Sequence, residues 1–148
     1  MDVENVIHID ASPERVWGVT QDVERWPEWT PTMTSVKRVD EGPFGLGSRA
    51  RIKQPGQAEA EWVVTEFDAP RRFAWQTGRA GLRMTAAHEI TAEGQGTRNT
   101  LRVEVEGILA LLLWPLLRPA MRRALAQENR GLKARCEQSA AAPSYDLA

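Results

Sequence analysis

From Ser48 the chain alternates strictly, with Ser48, Ala50 and Ile52 on one side and Arg49, Arg51 and Lys53 on the other. A period of two is the signature of a strand with one face buried and one in water. The pattern continues through Ala58–Phe67, where Ala60, Trp62 and Val64 form the apolar set and Glu59 and Glu61 the polar one. A short Gln54-Pro55-Gly56 connection sets Glu59 and Glu61 opposite Arg51 and Arg49, a register that opposite charges favour. Three later connections test the pattern, because a four-residue turn exchanges even for odd positions on the inner face. Asp68–Arg71 brings Phe73 and Trp75 inward. Gly78–Gly81 brings in Leu82, Met84, Ala86, His88 and Ile90, and Glu93–Gly96 brings in Leu101, Val103 and Val105. The outward set of the last strand, Thr100, Arg102, Glu104 and Glu106, is polar throughout. An antiparallel sheet with one apolar face follows, and such a face needs a cover.

The cover is the stretch from about Leu109 to Cys136. Its apolar residues Leu117, Met121, Leu125, Leu132 and Cys136 recur at multiples of about four, which draws one stripe along a helix. Gly107 releases the chain into this helix, and Pro115 and Pro119 are expected to bend it or delay its first turns. Ahead of the sheet, Val3–Asp10 alternates as a further strand. Ser12-Pro13-Glu14 then offers a capping hydroxyl, a proline at the first helical position and a carboxylate at the positive helix end. Asp22 is placed to cap a second short helix, which Pro27 and Pro31 keep from running far. The segment Arg25-Trp26-Pro27-Glu28-Trp29-Thr30-Pro31 is thus a stiff elbow carrying two tryptophans. A strand around Met33–Val39 and a loop Gly42–Gly47 complete the chain; a strand and not a helix follows that loop, so it is no dinucleotide fingerprint. The architecture expected is α+β: a curved, seven-stranded antiparallel sheet wrapped on one long C-terminal helix, with two short helices after the first strand and a ligand cavity in the gap. Residues 1–138 form one domain, and 139–148, small and polar, read as a disordered tail.

Charge and composition narrow the function classes. Lys and Arg number 19 against 20 for Asp and Glu, with no block of like charge, so a nucleic-acid partner is not expected. Cys136 is alone, and Met1 leads almost directly into a strand with no charged-then-apolar leader, which points to a cytoplasmic protein. The apolar run Ile108–Leu117 spans ten residues and contains a proline, whereas a membrane span needs about twenty. Burial is expected there, and no integral membrane segment. His8 and His88 are the only histidines and no pair of groups has ligand spacing, so neither a metal nor another cofactor is expected. Oligomeric state is not written in the sequence.

The stretches Ala11–Trp17, Asp22–Trp29 and Gly94–Arg98, and the terminal Leu132-Lys133 with Glu137, stand in an order that resembles the helix-grip, START-like superfamily. Within it the chain is most similar to the polyketide cyclase/dehydrase and lipid-transport family, often labelled SRPBCC. The resemblance covers roughly Val3 to Gln138 and implies the helix-grip fold. For activity it is broad, since members include lipid and sterol carriers, hormone receptors and polyketide aromatase/cyclases. Asn99 departs from the family pattern, which has an apolar inner-face residue there, and points to a polar feature in the cavity.

His88 is the sharpest chemical candidate, because parity sets it on the apolar inner face, where a neutral imidazole can act as acid or base. The plainer alternative is a structural histidine satisfied by a neighbour. Glu128 falls within the angular range of the helix stripe and reaches either the cavity or an exposed edge. Trp26 and Trp29 line or gate the cavity mouth, near the N-terminal half of the long helix or the loop Gly42–Gly47, unless they simply pack. Trp62, Trp75, Met84, Val103, Met121 and Leu125 form its walls. Tyr145, the only tyrosine, lies in the tail, which removes the commonest phenolic acid. The leading expectation is binding of a small hydrophobic ligand, lipid-like, aromatic or polyketide-like. The alternatives are a polyketide cyclase or dehydratase with His88 as acid/base, and an interaction module using the tryptophan elbow.

Overall fold

Seven antiparallel strands in the order β1-β7-β6-β5-β4-β3-β2 form a single open sheet. The computed structural model describes residues 1–141, with side chains as far as residue 138. The strands are β1 (Asp2–Ile9), β2 (Ser35–Arg38), β3 (Arg49–Lys53), β4 (Ala60–Asp68), β5 (Arg72–Arg79), β6 (Leu82–Glu93) and β7 (Gly96–Glu106). Helix α1 (Pro13–Gln21) and a 3-10 turn (Val23–Glu28) separate β1 from β2, and helix α2 (Ile108–Ala141) follows β7. The expected tail from 139 begins inside this helix, and residues 142–148 lie outside those described.

Local chemistry starts and stops these elements. Ser12 caps α1 by accepting a hydrogen bond from the Arg15 amide at 3.1 Å, with Pro13 in the first turn. Asp22 does not cap the second short helix with its side chain; its Oδ2 lies 3.3 Å from Arg25 Nε instead. Pro27 sits inside that segment and holds it to a 3-10 turn. Helix α2 is neither delayed nor interrupted by Pro115 and Pro119, whose rings lie on its exposed side.

Two registers differ from the expected ones while preserving the faces. Arg51 pairs with Glu61, not Glu59, because the β3–β4 connection runs from Gln54 to Glu59 and is closed by Gln57 N–H donating to Gln54 O at 3.1 Å. A slip of two residues leaves Ala50, Ile52, Trp62 and Val64 buried, since the pleat repeats every two. Between β4 and β5 the exchange of parity comes from a bulge between Val64 and Glu66, not from the turn. Val64 faces Trp75 on one side of it and Phe67 faces Phe73 on the other, so all four point inward. The two-residue turns Ala80-Gly81 and Gly94-Gln95 exchange parity as expected and set Phe73, His88 and Leu101 side by side.

Helix α2 makes its close contacts with β1, β7 and β6, not with β2–β4. A short apolar cluster of Val3, Leu101, Val103, Val105, Ala110 and Leu125 seals it to that edge. The aromatic cluster on the other side is bounded by α1 and the elbow and packs on Leu132 and Cys136 of α2, and space remains between it and the earlier turns of the helix.

Candidate functional site

That space is a cavity of about 420 Å³. Trp62 and Trp75 wall it with ring centroids 5.9 Å apart, and Trp26 closes its inner end 5.4 Å from Trp75. Met84 and Val103 from the sheet and Met121 and Leu125 from α2 complete the wall, joined by Leu82 and Leu117. Eight of the nine expected ligand contacts, counting Glu128 and Trp26, therefore line one space together with His88. Trp29 is the exception. It packs against Trp26 at 5.8 Å and against Gly131 of α2, outside the lining. The elbow thus meets the C-terminal half of the long helix, not the N-terminal half, which with the loop Gly42–Gly47 was one of the two places expected for a gate. Trp26 is 1% exposed, its indole N–H donating to Thr20 O at 3.0 Å, so the elbow presents no free pair of tryptophans for a partner protein.

The mouth lies elsewhere. Thr32, Gln54 and Gln57 on one side and Ala120 and Ala124 of α2 on the other line both the cavity and the open surface depression outside it. Sequence reasoning missed these five. Their signal was faint: two alanines beside Met121 and Leu125 on the cavity side of the helix.

His88 and Glu128 are the ionisable pair of this space. His88 is buried, stacked on Phe73 at 4.5 Å with an interplanar angle of 11° and 5.1 Å from Trp26. Glu128 is buried as well, not at an exposed helix edge. Its Oε2 lies 4.0 Å from His88 Nδ1, beyond hydrogen-bond length but close enough for one small polar group to touch both. Burial, aided by the Arg72 charge, pushes the His88 pKa down from 6.5 to about 3. Burial alone pushes Glu128 up from 4.5 to about 7. Both shifts have the same cause, the loss of hydration by whichever form is charged. Between about pH 3 and 7 the pair is an uncharged imidazole beside an uncharged carboxyl.

Asn99 belongs to a different feature from the one expected. It does not line the cavity but is fully buried between sheet and helix, its Nδ2 donating to Asn129 Oδ1 at 2.7 Å. Asn129 in turn donates to Asn5 Oδ1 at 2.7 Å and to Asn5 O at 3.1 Å. The three asparagines clamp α2 to β1 and β7.

A model of the family described as polyketide cyclase/dehydrase and lipid transport matches residues 1–137. The chain belongs to this family. Among curated relatives, an uncharacterised protein of Mycobacterium tuberculosis is 25% identical over 140 residues, covering 88% of this chain and 84% of that one. The crystal structure of TTHA0849 from Thermus thermophilus superposes with a TM-score of 0.76 at 24% identity, over 96% of this chain and all of the other. A START superfamily protein from Mycobacterium smegmatis gives 0.73 at 18% identity, over 93% and 97%. The di-domain ARO/CYC StfQ of the steffimycin biosynthetic pathway gives 0.75 at 14% identity, over 94% of this chain and 51% of that one. The polyketide cyclase/dehydrase family member described here thus has the START-like, helix-grip fold. Among its described residues no helix is long and apolar enough to cross a membrane.

Proposed function

We propose that the chain binds one small, largely apolar molecule, aromatic or lipid-like, in the cavity between β3–β7 and α2. The observation that carries this reading is the wall itself: three tryptophans, three methionines and several aliphatic side chains around about 420 Å³, within the roughly 300–1,000 Å³ usual for ligand pockets. The polar side chains of the lining are Thr32, Gln54, Gln57, Arg79, His88, Arg102 and Glu128. The mouth amides of Gln54 and Gln57 can orient a ligand's outer end, and Glu128 with His88 can engage a single hydroxyl, carbonyl or amine at its inner end. Native mass spectrometry of protein taken from its own host tests the proposal. A defined small molecule that leaves on denaturation supports it; a bare chain that also fails to take up any hydrophobic fluorophore overturns it.

A second reading is polyketide cyclase or dehydratase chemistry, and the Glu128–His88 geometry favours giving it a particular form. A carboxyl held near pKa 7 is matched to proton transfer at neutral pH. An imidazole held near 3 is a weak base there. Glu128 would then be the acid/base and His88 an uncharged neighbour able to hold the same polar group of the substrate, a reversal of the role first given to His88. Conversion of the captured molecule by the wild type but not by Glu128→Gln supports an enzyme; release of the molecule unchanged in both supports a carrier.

A further inference from the structure

The outer face of the first turns of α2 is the least expected surface of the molecule. The run Ile108–Leu117, expected to be buried, is buried on one side only: Ile108 is 76% exposed, Leu111 66%, Leu112 72% and Leu116 74%. These residues, with Pro115, lie on the side of the helix turned away from the cavity, whereas Ala110 and Leu117 turn inward. Contiguous apolar side chains of this size on a surface mark a contact with something apolar.

Charge says what that contact is. Between Ile108 and Gln127 the helix carries Arg118, Arg122 and Arg123, all exposed, and no acidic residue. The β5–β6 hairpin, held to the helix by Leu109 N–H donating to Gly81 O at 2.9 Å, adds Arg79, exposed and also in the cavity lining, at the same end of the molecule, whereas Arg83 lies on the outer face of the sheet. The acids nearby are Glu106, the register partner of Arg83, Asp2 and Glu104, both paired with Arg102, and Glu4, which shares an open groove with Arg118, Arg122 and Arg123. The balance is cationic. A second copy docked through this patch would bring its arginines against the first copy's, a like-charge contact that costs binding energy.

From this apolar tip within a ring of arginines we infer that the start of α2 is a docking surface for an anionic lipid bilayer. The leucines enter the boundary between headgroups and acyl chains, and the arginines meet the phosphates, as in a helix lying in the interface plane. The cavity mouth at Ala120 and Ala124 is on the next turns of the same helix, with Arg123 at its rim, so docking brings the mouth to the membrane surface. Passage of a ligand between bilayer and cavity rests on the function proposed above; docking itself does not.

The test is sedimentation of the full chain with vesicles of phosphatidylcholine and phosphatidylglycerol in equal parts, against pure phosphatidylcholine vesicles. Binding to the mixed vesicles alone, weakened by salt, is expected. Leu112→Ser with Leu116→Ser should lower it about tenfold or more, and Arg118→Gln with Arg122→Gln roughly fivefold for each arginine removed, with unchanged melting in both pairs. No binding to either vesicle, equal binding to both, or full binding by the two double variants overturns the inference. So does a concentration-dependent dimer in sedimentation velocity that the leucine variant abolishes, which would assign the patch to a second copy. Uptake of a hydrophobic fluorophore in vesicle-free buffer keeps the two proposals apart: if it persists while vesicle binding fails, only the docking surface falls.

Discussion

The two halves of α2 are held by different physics. Past Gln127 the helix is tied by named polar contacts. Asn129 reaches Asn5 and Asn99, Lys133 Nζ donates to His8 O at 3.0 Å, Glu137 accepts from the Asp10 amide at 2.8 Å, and Arg135 pairs with Glu28 at 2.7 Å. Gly131 lets the elbow backbone come so close that an added Cβ would overlap Trp29 O. Before Gln127 the helix rests on apolar side chains and one backbone bond to the β5–β6 hairpin, with the cavity beneath it and leucines in water above it. One half is a fixed wall. The other is a cover whose contacts are non-directional, and the mouth is cut into that half.

The largest effect should come from attacking the cover's seal. Leu125 is 7% exposed in the cluster with Val103 and Val105, and Leu125→Asp buries a charge without a partner, at an expected cost of about 3–5 kcal/mol. Thermal melts check it. A midpoint within about a degree of wild type, where 1 kcal/mol moves such a domain by several degrees, would mean that this half is not sealed by burial at all.

The junction of the halves, at Glu128, should respond to pH. The raised carboxyl favours the folded state below 4.5, and that contribution is lost as pH rises through about 7. The depressed imidazole contributes above 6.5, and its contribution is lost as pH falls towards about 3. Between 4.5 and 6.5 the two slopes oppose each other, so wild-type stability should be nearly flat with respect to this pair. Glu128→Gln should unmask a rise in stability with increasing pH, and His88→Phe a fall, each of about 3 kcal/mol between pH 4.5 and 6.5. Denaturant titrations at a series of pH values measure both. Parallel profiles for the wild type and both variants would show that the pair is hydrated.

Gly131→Ala is the corresponding strike at the fixed wall. The methyl cannot fit against Trp29 O without moving the elbow or the helix, and a loss of about 2–3 kcal/mol is expected. Leu112→Ser and Leu116→Ser on the cover's outer face should stay within about 0.5 kcal/mol of wild type. A tolerant Gly131 with sensitive outer leucines would invert the comparison between the halves.

The inner face of the sheet was legible because parity is cumulative, and even an incorrect β3–β4 register preserved it, being wrong by two residues. Parity also brought Trp62, Trp75, Met84, His88 and Val103 to one surface, although it credited a turn with the exchange that the bulge after Val64 makes. Bulges have no strong residue signature, so that step was hidden. The asparagine clamp was hidden for another reason: Asn5 and Asn129 are 124 positions apart, and nothing local in either signals a partner. Gly131 did carry a signal, being the single glycine in a stretch of good helix formers, where a close backbone approach is the usual explanation. The exposed leucines misled because apolar composition predicts burial only where something lies opposite, and among the described residues none covers the outer face at the start of α2.

The central claim is that the space under the cover holds a ligand, and filling that space tests it most directly. Ala86 is half-buried in the lining, between Trp75 and Val103 in register, so Ala86→Phe puts a ring into the cavity from the sheet side. The measurement is a titration of a hydrophobic fluorophore against wild type and Ala86→Phe, with melts to confirm that both remain folded. Saturable single-site binding to the wild type, weakened by about tenfold or more in the variant, is the predicted result. Equal affinity in two equally folded proteins would contradict the claim, because the fluorophore would then be bound somewhere other than the cavity.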